Sequence, residues 1–124
     1  MKRMGLLAAL FLVMWGGLSA GIQFTTQNNN LGSDFFIYWN AGRAVLFEGA
    51  NPYSDEIAIQ NQMAIFKRIS GPLEDQVGFA YPPYALLLVL PMLFMPFDWA
   101  QAVWIALLLL TLMAAGVAAM PRAR

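Results

Sequence analysis

The chain has 124 residues, seven Lys+Arg against seven Asp+Glu, no His and no Cys; 60% of it is hydrophobic and 11% charged, with a mean hydropathy of +0.58. A soluble domain carries about a quarter charged residues, so this composition argues against a soluble enzyme, a disordered tail and a nucleic-acid binder, and zero net charge gives no long-range pull toward polyanions. Without Cys or His there is no disulfide, no Cys/His zinc site and no histidine acid–base chemistry; proton transfer must use carboxylates, Lys, Tyr or water.

Lys2 and Arg3 open the chain, and Met4 to Ile22, 19 residues, carries no charge. About 20 apolar residues cross a hydrocarbon core of about 30 Å, so this stretch is expected to be a first transmembrane helix. Leu18-Ser19-Ala20-Gly21 also resembles a signal-peptide cleavage site, although Leu18 is bulky for one. Either reading sends the next segment across the membrane.

Residues 23–83 hold three positive and six negative charges. With Lys2 and Arg3 at the near end of the first span, the positive-inside rule predicts a cytoplasmic N-terminus and an extracytoplasmic loop over 23–83. Within it, polar residues 24–33 lead to Ser33, an N-cap candidate for a helix over 34–48, with Gly49 as its C′ residue. Aromatic residues fall almost all round this helix, as expected at a membrane interface or between membrane helices. Asn51-Pro52-Tyr53 predicts a turn. Ser54 then caps a second helix over 55–69, with Asp55 and Glu56 in its first turn. Ile59, Met63 and Phe66 form its apolar stripe, and Gly71-Pro72 is expected to stop it. Glu74 to Gly78 reads as a polar loop, and Glu48, Asp55, Glu56, Glu74 and Asp75 as solvated charges.

Phe79-Ala80-Tyr81-Pro82-Pro83 leads into the uncharged, Leu-rich residues 84–97. Fourteen residues with Pro91 and Pro96 inside predict a short, kinked second span or a re-entrant piece, whose freed carbonyls need shielding by neighbouring helices. Trp99 to Met120, 22 uncharged residues, predicts a third span. Arg122 and Arg124 follow; they end inside if 84–97 is re-entrant and outside if it crosses. The fold class is therefore an all-α membrane protein with two to three transmembrane helices and a helical extracytoplasmic loop. A chain ending just after Arg122 reads as a fragment of a longer polytopic protein.

Asp34 is the acid that stands out, at a helix start among Phe35, Phe36, Tyr38 and Trp39. It is either a dipole-favoured first-turn residue or a general base for an acceptor hydroxyl. Arg43, two and a half turns on, is either a bidentate ligand for a lipid phosphate or a snorkelling interface anchor. No close pair of carboxylates flanks Asp34, so no metal is expected, and no cofactor either.

Three ordered motifs, Ser33-Asp34-Phe35-Phe36-Ile37-Tyr38-Trp39-Asn40-Ala41-Gly42, Gly49-Ala50-Asn51-Pro52-Tyr53 and Phe79-Ala80-Tyr81-Pro82-Pro83, with Trp104 in the following helix, resemble the start of the bacterial polytopic glycosyltransferases of family 87. These are α-mannosyltransferase-like members of the GT-C superfamily. The resemblance covers about residues 5–120. It implies a bacterial plasma-membrane, multi-pass protein that transfers a hexose such as mannose, with inversion, from a polyprenyl-phosphate donor to an extracytoplasmic glycan or glycolipid. It implies Asp34 as the catalytic base, and Tyr38, Trp39, Arg43, Asn51, Tyr53 and Tyr81 as candidate substrate-binding residues. Membrane lipid, donor and acceptor are then the partners, and nucleic acid is not. Members of that family have many more spans. The short length alone supports a different expectation, a small non-enzymatic membrane subunit packed on a larger partner; a secreted lipid-interacting domain is the third.

Overall fold

A computed structural model describes residues 2–26 and 33–120, together with the side chains of 4–26 and 34–120. The Ser33 side chain expected to cap a helix, the polar residues 27–32, the side chains of Lys2 and Arg3, and Arg122 and Arg124 lie outside these. Among the described residues there are helices and no strands. They are α1 (Lys2–Thr26), α2 (Ser33–Arg43), a π-helical turn (Ala44–Glu48), α3 (Asp55–Phe66), two 3-10 helices (Pro83–Leu88 and Leu90–Phe94) and α4 (Phe97–Ala119).

Two helices are long and apolar enough to cross a membrane: α1 over Met4–Thr26, and α4. At 1.5 Å per residue, 23 residues reach about 34 Å, sufficient for a core of about 30 Å. α1 outruns the expected 4–22 because Gln23, Thr25 and Thr26 continue the helix, and the threonine hydroxyls return hydrogen bonds to Gly21 and Ile22 carbonyls.

α1 and α4 pack antiparallel. The Trp15 indole N–H donates to the Val103 carbonyl at 3.1 Å. Burial rises along α1, from an exposed Met4–Met14 stretch to buried Ser19 and Thr26. It falls along α4, from buried Ala100, Gln101 and Ala102 to exposed residues 111–120. The buried end of each helix is the one that joins the body formed by residues 33–96; the bare ends project together.

α2 is the centre of that body, with Asp34 in its first turn and Arg43 in its last, each complementing the helix dipole. It has two buried faces. Ile37, Ala41 and, just beyond, Ala44 pack with Ile57, Val77, Phe79 and Leu86. Phe35 packs with Val89, Met92, Leu93 and Ala100. Aromatics surround α2 because both sides have apolar neighbours. The expected 34–48 helix is thus α2 plus a π turn. It closes at Gly49, whose φ of 63° is left-handed and whose N–H caps Ala44 O, as glycine at C′ allows.

α3 departs from expectation in two ways. Ile59, Met63 and Phe66 face outward. Its buried residues are Ile57, Asn61 and Gln62, because the loop after it supplies backbone groups rather than hydrocarbon. Asn61 Nδ2 donates to Val77 O at 2.8 Å and Asn61 Oδ1 accepts from Asn40 at 3.0 Å. Gln62 donates to Gln76 O and accepts from the Ser70 N–H. α3 also ends at Phe66 rather than Ile69, since Lys67 already sits at φ 59°, ahead of Gly71-Pro72. Ser54 occupies the N-cap position with extended backbone, but no side-chain cap bond forms.

Of the expected span 84–97, residues 84–96 form no α-helix, and Phe97 already opens α4. The two 3-10 helices, six and five residues long, meet at Val89 and lie against α2, and Met95-Pro96 leads into α4. Prolines at the start of each set the break: they fix φ and supply no N–H to continue an i→i−4 ladder.

Candidate functional site

Asp34 and Tyr38 are four residues apart on α2, hence on one face. Both line a cavity of about 170 Å³ closed by Phe35, Leu88, Val89 and Trp104. Its floor belongs to the aromatic stack of α2 on α4: Phe35 lies 5.4 Å from Trp104, nearly parallel, and Phe97 packs edge-on to Phe36 at 4.9 Å. Asp34 is exposed and, among the described residues, is the cavity's single charged group. The cavity is apolar with one carboxylate in its lining, so it suits a neutral, hydroxyl-bearing ligand whose hydroxyl donates a hydrogen bond to Asp34.

Tyr38 links this cavity to a second cluster. Its ring stacks on Tyr81 at 4.5 Å and meets Phe79 edge-on at 5.8 Å. Tyr53 packs on Phe79 at 5.5 Å, and its hydroxyl donates to Tyr81 O at 2.7 Å. Tyr53 reaches this place through a turn: its N–H binds Asn51 Oδ1 and the Ser54 N–H binds Asn51 O. Burial, first, and then hydrogen bonding to Tyr81 and the negative charges of Tyr81 and Asp34 push the Tyr38 phenol up to about 12. Tyr38 is therefore a neutral phenol at neutral pH, with Tyr81 as a hydrogen-bond partner.

Asp34, Tyr38, Tyr53 and Tyr81 thus form one connected surface, with Asn51 shaping the turn that carries Tyr53. Trp39 and Arg43 lie on the other side of α2. Trp39 Nε1 donates to Met95 O at 3.3 Å. Arg43 Nη1 donates to Leu93 O at 2.6 Å, and its guanidinium sits over the Trp39 and Phe47 rings at 5.0 and 4.9 Å. Both side chains hold backbone here.

Trp104, Phe35 and Phe79 belong to the motifs of the sequence but are not among the residues expected at the site, and Val89 carries no signal in the sequence. Phe35 lies within the first motif, but its inward direction depends on α4 packing. Val89 emerges only because the 3-10 segment folds back on α2. Among the described residues no three acidic groups gather within metal-ligating reach. Glu74, expected to be a solvated charge, is exposed and also paired: both its oxygens bind the Arg68 guanidinium at 2.6 and 2.7 Å, and the Gly71 N–H donates to it. Comparison of the chain with protein-family models, with curated proteins and with solved structures finds no match in any of the three.

Proposed function

We propose that the chain is a lipid-dependent glycosyltransferase of the bacterial plasma membrane, or its N-terminal part, with Asp34 as its general base. The N-terminus is cytoplasmic and the loop over 23–83 lies on the outer side, following Lys2 and Arg3. The observation that carries the reading is the Asp34–Tyr38 pair on one face of α2, opening on an aromatic-walled cavity beside the entry of an apolar helix. In the reaction the acceptor hydroxyl oxygen attacks the anomeric carbon. The bond from that carbon to the polyprenyl-phosphate oxygen breaks, the phosphate leaves with the electron pair, and Asp34 takes the hydroxyl proton, inverting the centre. The rings lining the cavity, Tyr38 and Trp104 among them, give it an apolar wall against which a sugar can pack. The cavity is smaller than the roughly 300–1,000 Å³ of common ligand sites, so it fits one portion of a larger donor–acceptor site.

The test is hexose transfer from a polyprenyl-phosphate-hexose donor in membranes carrying a full-length protein with the same three motifs. Asp34→Asn should lower turnover by about 10²–10⁴-fold, the usual weight of a general base, with Asp34→Glu retaining more. Near-normal turnover of Asp34→Asn removes Asp34 from the mechanism. A second reading, a non-enzymatic integral membrane subunit on a larger partner, is favoured by the outward apolar stripe of α3, continued by exposed Ile69 and Leu73. A stoichiometric partner copurifying in mild detergent, with no transfer activity in the unaltered membranes, would select it.

A further inference from the structure

We infer that Pro83–Phe94, with the π turn beside it, is a lipid-seated foot: it dips into the outer half of the bilayer from the side it came from and turns back into α4 without crossing. This rests on the reading of α1 and α4 as membrane spans, and is independent of the chemistry at Asp34.

Three observations converge. First, residues 76–97 carry no charge, and the outer surface of this segment is hydrocarbon: Leu87 and Phe94 are 67% and 68% exposed, and Leu88 is equally bare. The π turn extends the same surface, for Phe47 meets Phe94 edge-on at 5.7 Å. Val45, Leu46, Leu87 and Leu90 line a neighbouring groove of about 360 Å³ that no charged residue enters. A contiguous surface of bare leucine and phenylalanine is foreign to water-facing loops, which are polar and turn-rich.

Second, carbonyls that fall outside the helical ladders at the ends of this segment are met by protein donors. Pro96 has no N–H to offer Leu93 O three residues back, and Arg43 Nη1 binds that oxygen instead. Trp39 Nε1 takes Met95 O, and the Tyr53 hydroxyl takes Tyr81 O, just ahead of Pro82-Pro83. In water such oxygens need no dedicated donor. In hydrocarbon each unmet carbonyl is costly, and irregular backbone persists there only with partners from the protein. A guanidinium committed to one carbonyl is the strongest of these donors.

Third, the segment is positioned at the boundary. It runs straight into α4 through Met95-Pro96, at the end of α4 that the body buries, and α1 packs beside that half of α4, with Trp15 Nε1 on Val103 O. The occupant of the bare surface is therefore the hydrocarbon of the leaflet that surrounds those two helices.

The chain has no cysteine, so single-cysteine variants of the full chain can carry a nitroxide in vesicles of phosphatidylethanolamine and phosphatidylglycerol. The informative positions are Leu87→Cys and Phe94→Cys, both exposed and thus tolerant of change. Leu112→Cys on α4 is the span control and Glu56→Cys on α3 the water control. Accessibility to molecular oxygen and to a water-soluble nickel chelate is read at each. The expected result is that Leu87 and Phe94 behave as Leu112 does, open to oxygen and several-fold less open to the chelate than Glu56. Chelate access at Leu87 and Phe94 matching Glu56, with Leu112 still shielded, overturns the inference and leaves the spans intact. Shielding from both reagents means a protein partner covers the surface and also overturns it. Chelate access at Leu112 would remove the membrane reading itself, and the inference with it.

Discussion

Tyr38 and Glu74 move in opposite directions for reasons that fix their pH windows. Tyr38 is held neutral: its folded value of about 12 exceeds the ordinary 10, so its contribution to stability is complete below pH 10 and is lost as pH rises toward about 12. A phenolate absorbance titration should show one late-ionising tyrosine that Tyr38→Phe removes. Asp34→Asn should bring that late step down, because the Asp34 charge is one of the causes opposing ionisation. No shift on Asp34→Asn would separate the two groups and weaken the paired site. Glu74 is pulled down to about 2 by the Arg68 guanidinium first and the Gly71 N–H second. Its contribution is present above pH 4.5 and is lost as pH falls through about 2. Both partners are exposed, and such pairs stabilise little. The expected effect of Arg68→Ala is accordingly local: faster amide exchange at Gly71, with the melting temperature nearly unchanged.

Elements in this chain are fixed by how segments meet, and α3 is the clearest case. Asn61 is 0% exposed and ties α2, through Asn40, to the Val77 carbonyl. Asn61→Ala leaves buried polar groups unmet, which costs about 1–3 kcal/mol; thermal unfolding in detergent should show it, and an unchanged midpoint would mean water replaces the amide. The 3-10 foot depends on Gly42 in the same way. A Cβ there would sit 2.8 Å from Leu93 Cδ2, so the Leu93 side chain, 1% exposed, has to shift to admit it. Gly42→Ala should destabilise by about 1–3 kcal/mol, the range for overpacking, and loosen the foot from α2. Local punctuation is legible in the residues themselves: Gly49 as the left-handed close, Ser54 as the cap position, and the two apolar helices. What residue types do not convey is direction. The i, i+4, i+7 stripe of α3 predicts an inward face, yet side-chain amides take that face because the 69–79 loop offers carbonyls instead of hydrocarbon. Lys67 ending α3 at positive φ, and the π turn after Arg43, have no local signal at all. At the site, Asp34 and Tyr38 are readable as an i, i+4 pair, whereas Trp104 and Val89 depend on how α4 and the foot pack on α2.

At the scale of the whole molecule, the antiparallel α1/α4 pair sets where the charges fall. If residues 83–94 do not cross, Lys2, Arg3, Arg122 and Arg124 all belong to one side of the membrane, while residues 23–83 carry three positive and six negative charges on the other. Every basic end then votes for the same orientation, because positive residues near span ends are retained on the cytoplasmic side. If those residues did cross, Lys2 and Arg3 would oppose Arg122 and Arg124, and the orientation would rest on a contest between the two ends. Neutralising one end separates these cases. With Lys2→Gln and Arg3→Gln together, the folded-back arrangement should keep both termini cytoplasmic, since Arg122 and Arg124 still hold that side, and sidedness reporters on each terminus should read unchanged. Only neutralising Arg122 and Arg124 as well should give mixed insertion. A crossing segment would behave otherwise: reporters on the two termini would disagree from the start, and loss of Lys2 and Arg3 alone would hand the contest to the C-terminal arginines and invert the protein.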